Sequence, residues 1–175
     1  MSECQNKEIR TLAQKRAAFA LRKVEEILSN YKSLDNKNFK SFASGAPSMI
    51  LQNGLGQALA FWLAKASKFD ENSKKQHIDF EKKKEGFLLK IITEWFQQSD
   101  NPYNLLVSIE NTPEEKNDRK KFNIMIKSFV EKIFCNLNQK DFLSIQKETL
   151  ALLEWFKRYA EAFLSDEESK NKEEN

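Results

Sequence analysis

Lys15 and Arg22 stand seven residues apart, and Arg16 and Lys23 repeat that spacing one position on. Seven residues are about two helical turns, so each pair lies along one line of a helix. Cations repeated on a rigid face allow two readings, a solvated surface that keeps the chain soluble or a face that holds a phosphate backbone without reading its sequence. Lys65 and Lys68 lie about one turn apart further along the chain. Lys15, Arg16, Arg22, Lys23, Lys65 and Lys68 are therefore the candidate nucleic-acid contacts. The remaining inventory points away from catalysis. The single histidine, His77, lies in a polar stretch, and Cys4, His77 and Cys135 are too scattered to supply a zinc site. No glycine-rich phosphate loop and no nucleophile elbow occurs. The acidic pairs Glu25-Glu26 and Glu114-Glu115 also lie in polar stretches, whereas a general acid needs a cleft that raises its pKa. They read as solubilising or helix-start charge. No catalytic residue, metal or cofactor is expected.

The charge distribution supports the same region. The chain of 175 residues has a net charge of +3, but residues 1–68 carry +6, residues 69–164 carry none and residues 165–175 carry −3. Its positive excess is therefore confined to the part that holds the candidate cations. The acidic end reads as a disordered tail, and residues 1–164 as one domain. The Lys82-Lys83-Lys84 and Arg119-Lys120-Lys121 runs are flanked by acids and read as solvated faces.

The elements that must position these groups are helical. Four glycines and three prolines are few for the turns of a β-sandwich or the glycine loops of a doubly wound fold. Apolar residues recur every three or four positions from Ile9 to Tyr31, which predicts a helix over about residues 3–31. A connector follows at residues 32–36, then a short helix at 38–44. Pro47 is expected near the start of the next turn, and Asn53-Gly54 reads as a stop. Leu55, Leu59, Trp62, Leu63 and Ala66 mark a helix to about Phe69, with Phe61 widening its apolar stripe. Residues 70–78 read as a loop. A helix is expected over about 78–98, a short one at 103–109, and another from Thr112 and Pro113 to about Leu137. Asn138 opens the last, whose stripe includes Phe142, Ile145, Thr149, Leu152, Leu153, Phe156, Ala160, Phe163 and Leu164. Trp62, Trp95 and Trp155 all sit on apolar stripes and read as core. The expected fold is all-α, a compact bundle of about six helices with no sheet.

Three segments carry a resemblance to a known family. They are the long first helix ending in Tyr31, the run from Ser41 to Lys65, and the run from Glu148 to Ala162. The second contains Pro47-x-x-Ile50-x-x-Asn53-Gly54-Leu55, followed by Leu59-Ala60-Phe61 and Lys65. The third contains Trp155, Arg158 and Ala160. Together they resemble the small helical subunit of the type III-B (Cmr) CRISPR RNA-guided effector complex, over about residues 9–68 and 139–163. The resemblance implies a helical bundle without catalytic activity, serving antiviral defence. It also implies that several copies stack beside the guide-bearing backbone subunits, near the large polymerase-like subunit and the duplex of guide RNA and target RNA. In such a complex base pairing reads sequence, so the protein need only meet shape and backbone.

The expected function is thus that of a structural, RNA-contacting subunit. The alternative is a helical adaptor that binds proteins alone. The N-terminus shows no apolar signal segment and no stretch is long enough to span a membrane, so a cytoplasmic location with reduced thiols is expected.

Overall fold

The first helix starts where two side chains close on each other's backbone. In the computed structural model, which describes residues 10–30, 36–71, 74–98, 101–103 and 118–164, the Gln14 N–H donates to Thr11 Oγ1 at 3.2 Å. The Thr11 N–H donates back to Gln14 Oε1 at 2.8 Å. This reciprocal cap satisfies two N–H groups that the helix leaves unpaired. It sets the start of α1, which runs Leu12–Asn30; Arg10 and Thr11, expected within the helix, precede it, and the expected residues 3–9 and 31 lie outside the described residues.

α2 spans Asn36–Ala66 as two helical segments joined at a kink, the first longer than the short helix expected at 38–44. Pro47 lies buried inside it. A proline nitrogen has no hydrogen to give the carbonyl four residues back, so the helix passes through Pro47 at the loss of one bond. The expected stop survives as a break at Gly54, whose φ of 79° and ψ of 159° are non-helical. That positive φ is one that glycine adopts at little cost. The Leu55 N–H, displaced from the helix ladder, donates to Gln146 Oε1 of the last helix at 3.0 Å.

The expectation of no sheet, and of a loop at 70–78, is corrected. β1 (Ser67–Asp70) and β2 (Lys75–Ile78) pair antiparallel, with Ser67 opposite Ile78 and Lys68 opposite His77. Four residues per strand are too few to give a readable alternation, and tertiary contacts supply the support: the Ile78 N–H donates to Asn123 Oδ1 at 2.8 Å. α3 is shorter than expected, Lys84–Trp95. Asp79 holds the chain in a turn before it, its Oδ1 accepting from the N–H groups of Glu81 and Lys82. α4 (Asp118–Glu131) does not continue to Leu137. It passes into a π-helical turn at Lys132–Asn136. α5 runs Gln139–Phe163, and Asn138 caps it by accepting from the Asp141 N–H at 2.9 Å. The expected helix at 103–109, apart from Tyr103, which lies in a turn, the Thr112–Pro113 start and the acidic tail lie outside the described residues.

Among the described residues the protein is mostly helical, with five α-helices, one π-turn and one small hairpin. α5 packs against α1 and α2, and α3 against α2. Phe39 sits at the centre, fully buried, edge-on to Phe87 at 5.6 Å and to Phe156 at 5.8 Å between ring centroids. Such edge-to-face pairs add to the burial of large apolar area. Trp62 and Trp95 are core residues, as expected. Trp155 is only partly buried, and it stacks on Tyr159 at 6.0 Å. Phe61 and Phe163, both assigned to apolar stripes, are 44% and 51% exposed.

Candidate nucleic-acid interface

The parallel lines of cations on α1 have unlike fates. Arg16 turns inward and makes two parallel hydrogen bonds to Glu148 on α5, Nε to Oε1 and Nη2 to Oε2, each 2.7 Å. The indole N–H of Trp95 on α3 donates to the same Oε1 at 2.9 Å. Glu148 is 3% exposed, so three helices meet on one buried carboxylate. The hydrogen bonds that Arg16 donates to Glu148 hold its pKa above the ordinary value, against the opposing effect of burial. Bidentate pairing of this kind fixes geometry as well as charge.

Lys23 is also engaged. Its Nζ stands 2.5 Å from Glu26 Oε2 and 2.5 Å from Glu94 Oε2, and 5.6 Å from the centroid of the Phe19 ring. Lys90 closes the set, 2.8 Å from Glu26 and 3.7 Å from Glu94. Two cations and two anions thus alternate in a box that ties α1 to α3. Of the Glu25-Glu26 pair, only the exposed Glu25 fits the reading as solubilising charge. Burial pushes the Glu26 carboxyl up, but the hydrogen bonds from Lys23 and Lys90, with their charges, outweigh it and hold the pKa below the usual carboxylate value. A group whose pKa is depressed on folding contributes stability above its unfolded pKa and loses it as pH falls through the folded one. Unfolding followed by circular dichroism is therefore expected to show stability falling from about pH 4 downward. The Glu26→Gln variant should show a smaller loss over the same pH range.

Arg22, Lys65 and Lys68 differ from these. All three are exposed, and no carboxylate among the described residues pairs with them. Arg22 rims a groove beside the charged box. Lys65 closes α2 with its Nζ 5.7 Å from the Phe61 ring centroid, and Lys68 stands on β1 opposite His77. Lys15 is half-buried on α1. Of the six sequence-derived residues, then, two hold the helices together, three are open to a partner and one is intermediate.

Residue types and spacing did not single out Glu148, Glu94 or Lys90. Glu148 did carry a signal. It falls between Ile145 and Leu152 on a stripe of α5 that faces the core, and an acid there requires a buried partner. Glu94 and Lys90, four residues apart on α3, gave no such sign because helix-surface pairs of that spacing are ordinary.

The fold and these charges define a small, mainly α-helical protein in which buried and half-buried ion pairs lock the helices. No helix among the described residues is long and apolar enough to cross a membrane. The family model for the CRISPR-associated protein (Cas_Cmr5) matches residues 12–163, and the chain belongs to that family of small structural Cmr (type III-B) subunits. The match includes the middle of the chain, which the three resembling segments had left out. Family membership implies association with other components of the Cmr complex.

Proposed function

We propose that the protein is a non-catalytic subunit of the Cmr effector complex. It stacks in several copies along the region of guide RNA and target RNA and holds the nucleic-acid backbone without sequence preference. The observation that carries this reading is the exposure of Arg22, Lys65 and Lys68 without a carboxylate partner among the described residues, in a member of this family. A cation already bonded to a carboxylate must give that up to meet a phosphate, whereas an unpaired exposed one releases only solvent and counterions. Lys15, half-buried on α1, remains a candidate contact in this proposal but does not carry it. Arg16 and Lys23 act as positioning residues that keep α1 in place.

The test is binding of labelled RNA duplex across a salt series. The triple variant Arg22→Ala, Lys65→Ala, Lys68→Ala is expected to bind more weakly. The slope of log affinity against log salt should fall by roughly one for each phosphate that is no longer neutralised. Helicity should be unchanged, because none of the three is buried. Affinity and slope equal to wild type at low salt would remove the backbone-contact reading.

One observation favours the alternative, a helical adaptor that binds only proteins. Leu51, Phe134 and Leu143 are 70%, 47% and 45% exposed, and the Phe134 ring covers Gly56 near the break in α2. In that case Leu51→Ser and Leu143→Ser impair assembly with the other Cmr components, and the cation variants do not.

A further inference from the structure

Phe19, Arg22, Lys23 and Glu26 share one face of α1, at the three- and four-residue steps that bring side chains into line. That face is opposed by Glu94 at the end of α3 and by Gln97 and Gln98 in the turn beyond it. Between them lies a groove of about 540 Å³. This is within the range of roughly 300–1,000 Å³ over which proteins hold small organic ligands.

The lining has a particular chemistry. The charges at its base are compensated, since Lys23 and Lys90 meet Glu26 and Glu94 in the box. Cross-linked in this way, the base is a stiff support and supplies no net charge. The Arg22 guanidinium at the rim is left as the cation without a partner among the described residues. At the other side, the side-chain amide of Gln97 makes no hydrogen bond among the described residues, while the Gln98 amide nitrogen donates to the Glu94 carbonyl at 3.3 Å. Phe19 lies beneath, 3% exposed, with Trp95 packed on its ring and the Lys23 ammonium 5.6 Å from its centroid. The groove therefore offers one positive charge and one primary amide with donor and acceptor side by side.

We propose that this groove takes a single unpaired nucleotide. Arg22 meets its phosphate, since the guanidinium fork matches phosphate oxygens. The Gln97 amide meets the edge of its base, and adenine is the base whose adjacent donor and acceptor match a glutamine amide. In an A-form RNA helix that edge lies in the deep, narrow major groove, out of a side chain's reach, so only a base out of its stack enters. The nucleotide arrives either as part of a bound RNA or free in solution, and the groove chemistry is the same for both. The proposal extends the backbone-contact reading given above, and it assigns to Arg22 one definite phosphate.

The experiment uses the full-length protein labelled with ¹⁵N and two RNA duplexes, one flush and one carrying a single bulged adenosine. Affinities are measured at one salt concentration, and the side-chain amide signals of Gln97, assigned with the Gln97→Ala variant, are followed by NMR. Adenosine monophosphate alone is titrated in parallel. The bulged duplex is expected to bind about tenfold more tightly than the flush one and to shift the Gln97 amide signals. Gln97→Ala should abolish the tenfold difference while leaving the flush duplex bound as before. If both duplexes bind alike and Gln97 does not respond to either duplex or to the nucleotide, the groove proposal is overturned and backbone contact stands. If no duplex binds but adenosine monophosphate shifts Gln97, the groove stands as a site for free nucleotide and the RNA reading falls. If neither RNA nor nucleotide binds, both fall together.

Discussion

Replacing Glu148 with alanine should lower the unfolding free energy by about 3–5 kcal/mol, the usual cost of removing one partner from a buried ion pair. For a chain of this size that is a drop in melting temperature on the order of 10 °C. The magnitude follows from what the substitution leaves behind. Arg16, whose side chain is 17% exposed, keeps its charge and loses both of its 2.7 Å bonds. The Trp95 N–H loses its acceptor in a site where the residue is 3% exposed. An uncompensated buried charge and an orphaned donor each cost more than the intact interaction contributes. The double variant Arg16→Met, Glu148→Leu is expected to be more stable than Glu148→Ala, because it removes the charge together with its partner. Thermal unfolding of the two proteins side by side checks this. A single variant as stable as wild type would mean that the three helices do not depend on this carboxylate.

Gly86→Ala is expected to destabilise the protein by about 3 kcal/mol or more, at the upper end of the cost of overpacking. The direction is not the default one. In an exposed helix interior the same change is favourable by about 1 kcal/mol, because alanine is the better helix former. At Gly86, however, an added Cβ would overlap the Asp79 carbonyl oxygen and stand 2.7 Å from its carbon. Those are backbone atoms, in a segment held by the bonds from Glu81 and Lys82 to the Asp79 carboxylate and by the Asp79 N–H to the Ala66 carbonyl. They cannot swing aside as a flexible side chain would. Relief requires moving the hairpin exit away from α3, and Phe80 with it. Denaturant unfolding of Gly86→Ala gives the sign directly, and a gain in stability would contradict the close approach.

These two effects mark where the sequence was legible. The helical class, the break at Gly54, the cap at Asn138 and the apolar stripes of α5 were readable because each depends on neighbours within one or two turns. Thr11-x-x-Gln14 was equally local, and the reciprocal cap could have set the start of α1. The hairpin was not legible. Its strands are too short for a pattern, and Asn123, which holds it, is 45 residues further along the chain. Gly86 carried no signal within its own helix, since the carbonyl that excludes a side chain there comes from a turn seven residues earlier.

The same division runs through the candidate site. Residue types and their spacing were enough for a mainly helical, family-typical chain with its positive excess in the first 68 residues, and for the six candidate cations. Helical periodicity is enough to say which cations share a line on α1. It cannot say what stands opposite that line. Packing in three dimensions sets Arg16 against Glu148 across 132 residues of sequence and Lys23 against Glu94, while Arg22, Lys65 and Lys68 face outward. The physical reason is that whether a charge is available depends on how near the opposite charge lies. A carboxylate brought within hydrogen-bond distance by packing leaves no trace in the local sequence of its partner.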